Sequence, residues 1–122
     1  MSPKTGAVIR LMTADLNRRI SLGELAKPVN VSRSHLCRMF RAETGMAPGQ
    51  FLQTLRLREA AELLTTTWLN VNEITEKVGY RDSSLFGRHF KNAYGLTPSR
   101  YREAHAKVSA VRHKEGDPRD EL

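Results

Sequence analysis

The sequence predicts an all-α chain of about seven helices, arranged as two helix-turn-helix subdomains joined by a long central helix. Three observations predict it. One pattern occurs twice, as VNVSRSHLCRMFRAETGMAP from Val29 and as VGYRDSSLFGRHFKNAYGLTP from Val78. Apolar residues elsewhere recur at helical spacing, and no segment alternates with period two over the length of a strand. The chain has 122 residues, which make one compact domain or two very small ones sharing an element.

The elements follow in order. Ile9, Met12, Leu16 and Ile20 give the apolar stripe of a first helix. Ser21 stands three residues before Glu24, and Asn70 three before Glu73, capping-box spacings that start a short supporting helix in each copy. Asn30 and Gly79 come next, the residue types that best tolerate the left-handed conformation of a helix stop. A second helix starts at the N-cap Ser32 in one copy and Asp82 in the other, and ends before Gly45 and Gly95. Thr97 and Pro98 open a last helix, with Leu96 stapled onto Tyr101 as Met46 is onto Phe51; Ala47, in the place of Thr97, is a weak cap. The segment PGQFLQTLRLREAAELLTTT reads as the joining helix, with Phe51, Leu55, Ala60, Leu63 and Leu64 inward and Arg56, Arg58, Glu59 and Glu62 outward.

Two shifts relate the copies. Leu36, Phe40, Gly45, Pro48 and Phe51 recur as Phe86, Phe90, Gly95, Pro98 and Tyr101 after 50 residues, whereas Leu25 and Val29 recur as Ile74 and Val78 after 49, so one residue was gained in the turn. Pro28 breaks the likeness. It lies inside the first supporting helix, removes a backbone donor and crowds the preceding turn, so that helix is expected to kink or end early. The expected boundaries are 1–47 for the first subdomain, 48–67 for the linker helix, 68–107 for the second subdomain and 108–122 for a polar, disordered tail.

Composition narrows the function. The chain is 39% hydrophobic and 27% charged, ordinary for a folded chain and too apolar for general disorder. Its net charge is +7, from 20 Lys and Arg against 13 Asp and Glu, and the last ten residues, HKEGDPRDEL, hold four acids and two bases. The body is therefore more basic than the whole, which favours a polyanionic partner over simple solubility charge. No apolar run is long enough to span a bilayer and the N-terminus lacks a signal-peptide core, so the expectation is a cytoplasmic, nucleoid-associated protein with no membrane partner. A single cysteine, Cys37, allows neither an internal disulfide nor a cysteine-rich zinc site.

Geometry says what the repeated helix is for. With Leu36 and Phe40 turned inward, the opposite side of the first copy collects Ser34, Cys37, Arg38 and Arg41; the second collects Ser84, Gly87, Arg88 and Lys91. Small and basic residues behind a supporting helix and a tight turn suit a reading helix in the major groove of double-stranded DNA. Small residues permit close approach, and arginine bonds two acceptors on guanine. Arg41 and Lys91 lie a turn further on, at phosphate reach, and Ser32, Arg33 and Asp82 at the helix starts are also assigned to phosphate. The competing reading, a merely solvated helix face, is disfavoured because the arginine occurs at matching places twice.

Other residues have plainer explanations. Cys37 as a redox sensor is weaker than Cys37 as a small contact residue. His35, His89, His105 and His113 show no paired metal spacing. Tyr80, Phe86, Phe90 and Tyr94 fit core packing better than base stacking, and Trp68 fits a cover over the joint between subdomains better than a ligand contact. No phosphate loop, nucleophile elbow or paired carboxylates are visible, so neither catalysis nor a cofactor is expected.

These residues carry a resemblance. The run from LAKPVNVSRSHLCRMFRAETGMAP through RLREAAELL to ITEKVGYRDSSLFGRHFKNAYGLTPSRYR is similar to the DNA-binding domain of the AraC/XylS family of bacterial transcription regulators, over roughly 7–107. The resemblance implies seven helices, two helix-turn-helix subdomains reading neighbouring major-groove segments, and base-reading residues at Ser34, Cys37 and Arg38 in the first copy and Ser83, Ser84 and Arg88 in the second. It also implies a transcription regulator, an activator rather than a repressor, expected to present a surface to RNA polymerase, and two unlike readers in one chain are expected to occupy one DNA site as a monomer. Most of the family carries a further sensing or dimerising domain, so the chain reads either as a small stand-alone member or as an excised C-terminal domain. The alternatives are an architectural or RNA-binding protein without strong sequence preference, and a protein-interaction module on the same fold.

Overall fold

The computed structural model describes residues 1–106; the polar tail expected at 108–122, with His113, lies outside the described residues. Seven α-helices follow one another: α1 (Pro3–Ala14), α2 (Leu22–Ala26), α3 (Arg33–Thr44), α4 (Pro48–Thr66), α5 (Val71–Lys77), α6 (Ser83–Tyr94) and α7 (Pro98–His105). Among the described residues there is no strand. The all-helical expectation stands.

Local chemistry sets the ends. Both capping boxes form: the Ser21 hydroxyl accepts from the Glu24 amide while the Glu24 carboxylate accepts from the Ser21 amide, and Asn70 and Glu73 repeat the exchange. The Ser21 amide is the main reason the Glu24 carboxyl titrates below its ordinary value, and Arg18, 2.8 Å away, assists. Ser32, Asp82 and Thr97 cap α3, α6 and α7. Asn30 (φ 58°) and Gly79 (φ 96°) both take the left-handed conformation that stops the supporting helix.

Pro28 ends α2 early without altering the turn. After Ala26 the chain tightens into a 3-10 turn, Lys27–Val29, with Pro28 in its first turn, where a missing amide is tolerated. The closing bonds are then made by residues on either side of the proline. Val31 donates to the Ala26 carbonyl (3.3 Å) and Asn30 to Lys27 (3.0 Å), as Tyr80 donates to Thr75 (3.0 Å) and Gly79 to Glu76 (3.1 Å) in the other copy.

The chain divides into two compact units, Met1–Arg56 and from Leu57 onward. In the first, Val8, Met12, Leu25, Val29, Leu36, Phe40 and Leu52 are buried together. In the second, Leu57, Ala60, Leu64, Ile74, Val78, Phe86 and Phe90 are. Each core holds α3 or α6 against the helix that follows: Phe40 meets Phe51 edge-on at 5.1 Å, and Phe90 meets Tyr101 edge-on at 5.3 Å. Phe51 and Tyr101, expected as staple partners, are partly buried and pack against the cores.

Two expectations change. The buried face of α1 is Thr5, Val8 and Met12, whereas Ile9 is only half-buried, and Leu16 and Ile20 reach the core from the segment after α1 has ended at Ala14. Arg56 does not point outward. It is half-buried, and its guanidinium donates to the carbonyls of Leu16 and Arg18, both at 3.0 Å. These carbonyls lie just past α1, where a helix end leaves acceptors without intrahelical partners.

Arg102 does the same in the second unit. It donates to Leu64 (2.9 Å), Thr67 (3.2 Å) and Leu69 (2.5 Å), and burial lowers its pKa from the ordinary arginine value. A planar fork serves three acceptors at once, which a lysine ammonium on a flexible stem does not. Arg102→Lys should therefore destabilise the chain almost as much as Arg102→Ala, each by about 1.5–3 kcal/mol in denaturant titrations, since charged hydrogen bonds are lost and buried carbonyls are left unpaired. A lysine variant as stable as the parent would show that charge alone is enough.

Candidate nucleic-acid interface

Each unit presents one helix face that packing leaves free. In α3, Leu36 and Phe40 are fully buried four residues apart, which turns Ser34, Arg38 and Arg41 to the outside, all exposed, with Cys37 half-buried at the edge of the face. In α6, Phe86 and Phe90 are fully buried, Ser83, Ser84, Arg88 and Lys91 are exposed, and Gly87 is half-buried. The residues expected to share a face do so in each unit.

Nothing anionic neutralises these faces. Arg18–Glu24 is the one ion pair among the described residues, so Arg33, Arg38, Arg41, Arg88 and Lys91 all keep their charge available. Cys37, Arg38, Arg41 and Ala42 line a shallow open concavity on α3. Above Gly87 there is open space: apart from its chain neighbours and the backbone of its own helix, a Cβ built there would meet no described atom within 4 Å. Gly87 is thus not required by packing inside the second unit.

The helix starts are occupied differently. The Ser32 hydroxyl accepts from the His35 amide at 3.0 Å. Asp82 Oδ1 accepts from the Ser84 amide at 2.8 Å and the Leu85 amide at 3.4 Å, so its side chain serves the helix first. The aromatics expected in the core are there: Tyr80 lies edge-on to Phe86 at 5.3 Å and Phe90 stacks on Tyr94 at 4.7 Å. Trp68 stays 44% exposed. Sequence reasoning missed the contact that fixes the roll of α6: the Tyr80 hydroxyl is 2.8 Å from His89 Nδ1, with the rings 5.6 Å apart. In the first unit the matching residues, Val31 and Met39, are apolar.

The fold has counterparts among known proteins. A family model described as a helix-turn-helix domain matches residues 25–104. The chain is 31% identical over 94 residues to the lactose operon transcription activator of Staphylococcus xylosus, covering 77% of this chain and 34% of that protein. It is 35% identical over 103 residues to the RCS-specific HTH-type transcriptional activator RclR of Escherichia coli, covering 84% of this chain and 36% of that one. The chain thus spans about a third of the length of these curated relatives. Among solved structures, the C-terminal domain of AraT, a response regulator from Geobacillus stearothermophilus, superposes with a TM-score of 0.83 at 32% identity over 92% of this chain and 93% of that one. The DNA-binding domain of AdpA, solved with a target DNA, superposes with a TM-score of 0.81 at 30% identity over 94% of this chain and 100% of that one.

Gly87 supplies a test that separates folding from contact. Gly87→Ala should raise stability by about 0.8–1 kcal/mol, because glycine inside a helix is disfavoured by that much against alanine and the new methyl meets no obstacle. The same variant should bind duplex DNA more weakly, since the methyl stands on the reading face. Thermal melts and duplex titrations on one preparation check both, and unchanged DNA affinity would place Gly87 off the contact surface.

Proposed function

The chain belongs to the AraC/XylS family of DNA-binding transcription regulators, and from that membership we propose that it binds double-stranded DNA sequence-specifically and regulates transcription near promoters. The observation that carries the reading is the repeated face: an unpaired arginine, Arg38 or Arg88, opposite two fully buried apolar residues and flanked by small side chains. Arg38 and Arg88 read base edges, assisted by Ser34 and Cys37 in the first unit and Ser83 and Ser84 in the second. Arg33, Arg41 and Lys91 meet phosphate. At Ser32 and Asp82 the side chains hold the helix ends, so phosphate there is met by backbone amides; a carboxylate repels phosphate, and Asp82 itself adds no attraction. Two unlike readers in one chain fit an asymmetric site bound by a monomer, and activation through a surface offered to RNA polymerase fits the activators among its relatives.

Arg38→Ala and Arg88→Ala should each weaken binding by about 1–3 kcal/mol and relax preference at different positions of the site, whereas Lys91→Ala should weaken all sequences alike and lower the salt slope by about one. Because the turn before α3 closes with the same bonds as the turn before α6, Pro28 does not exempt Arg38 from this expectation. Binding of all three variants to a panel of single-base duplexes decides the roles. Loss of base preference in Lys91→Ala alone would reverse them.

Salt distinguishes DNA reading from a protein-interaction module. If six to ten phosphates are neutralised, affinity should fall by about 10³ to 10⁵ between roughly 50 and 200 mM salt. A flat dependence, or equal affinity for every duplex in the panel, would move the function to one of the other classes.

A further inference from the structure

The two units repeat the same supporting helix, turn and reading helix but differ in charge. Met1–Arg56 holds nine Lys and Arg against three Asp and Glu, a balance of +6, whereas the described part of the second unit, residues 57–106, holds seven against six, a balance of +1. The difference is arranged at matched places. The 49-residue shift that carries buried Val8 and Met12 onto buried Leu57 and Ala61 sets Arg10 against Glu59, and the shift that carries Leu25 onto Ile74 sets Lys27 against Glu76. Neutral Ser32 caps α3 where anionic Asp82 caps α6, and Arg33 stands where Ser83 does. All eight side chains are exposed.

Neighbours in the chain sharpen the contrast. No Lys or Arg of the first unit has an acid beside it in sequence. In the second, Arg58 adjoins Glu59, Lys77 adjoins Glu76, Arg81 adjoins Asp82 and Arg102 adjoins Glu103. The cations left without an adjacent acid are Arg88, Lys91 and Arg100, two of them on α6. None of these adjacent pairs is an ion pair, but an acid one residue away lowers the net charge that a nearby phosphate meets, so less attraction is expected there than around the cations of the first unit.

We infer that the units share the work on DNA unequally: both read bases, but the first also supplies most of the sequence-independent attraction to phosphate, whereas the second contributes its affinity mainly through the base-reading helix α6. The inference rests on the DNA-binding function proposed above. It makes the first unit the element that holds the chain on any duplex.

The test compares two pairs of exposed cations outside the cores: Lys27→Gln in the turn after α2 with Arg33→Gln at the first position of α3, and Lys77→Gln at the end of α5 with Arg81→Gln in the turn before α6. Each full-length variant is titrated against a random-sequence duplex and a selected duplex between roughly 50 and 200 mM salt, with melting curves to establish folding. The first pair should lower the salt slope by about two and the random-duplex affinity at the lowest salt by about tenfold or more; the second should change the slope by less than about half. Equal losses from the two pairs, or a larger loss from the second, overturns the division. A third variant, Glu59→Gln with Glu76→Gln, should tighten random-duplex binding and narrow the advantage of the selected duplex; no change in either also counts against the inference. A wild-type chain with a flat salt slope would instead remove the DNA function itself, so the two failures are distinct.

Discussion

Everything this chain offers to a partner depends on two aromatic anchors, Phe40 and Phe90. Each is fully buried, and each meets the aromatic ring of the next helix edge-on, Phe51 in one unit and Tyr101 in the other. A helix pinned by one buried residue can roll about its axis. A second buried residue four positions earlier, Leu36 or Phe86, removes that freedom, because successive positions at this spacing stack on one side. The direction of the basic face is then fixed by packing on the opposite side. Burying a phenylalanine contributes about 1.5–3 kcal/mol, so a unit this small cannot lose an anchor and remain ordered.

Around the anchors the two units solve the same problems with different residues. A left-handed stop follows each supporting helix, asparagine in one and glycine in the other. A half-buried guanidinium collects carbonyls at or just past a helix end in each unit, yet Arg56 and Arg102 do not occupy matching places in the repeat: Leu52 aligns with Arg102. The requirement is that acceptors past a helix end be paired, and more than one position can reach them. The roll of α6 is further fixed by the Tyr80 hydroxyl on His89, whereas the first unit fills the same place with apolar Val31 and Met39.

What could be read from the sequence was what depends on neighbours in the chain. The capping boxes at Ser21 and Asn70, the stops at Asn30 and Gly79, and the buried pairs of α3 and α6 all follow from spacings of three to five residues. The face carrying Arg38, and that carrying Arg88, followed from those pairs. Contacts between distant residues left no such mark. Arg56 and Arg102 look like solvated arginines on helices, and only tertiary proximity reveals the carbonyls they serve. The stripe assigned to α1 was misread because Leu16 and Ile20 reach the core from beyond the helix end, where helical spacing no longer applies, and because the buried threonine at position 5 carries a hydroxyl that apolar patterning skips. Pro28 was legible as a disturbance, but its harmlessness depends on bonds from Asn30 and Val31 that pass around it.

The placement of Arg56 and Arg102 late among the described residues of each unit bears on the order in which the chain can fold as it is made. Synthesis runs from the N-terminus, and domains generally fold as units in that order. The first unit lacks a partner for the Leu16 and Arg18 carbonyls until residue 56, well inside α4, has emerged. The second lacks one for Leu64, Thr67 and Leu69 until residue 102, in the last described helix, is present. Among the described residues, each unit is therefore closed by a residue that follows most of its core in the chain, like a ring fastened by a late link. A nascent chain halted before α7 would carry one fastened unit and one open one, with the aromatic side of α6 still waiting for Tyr101.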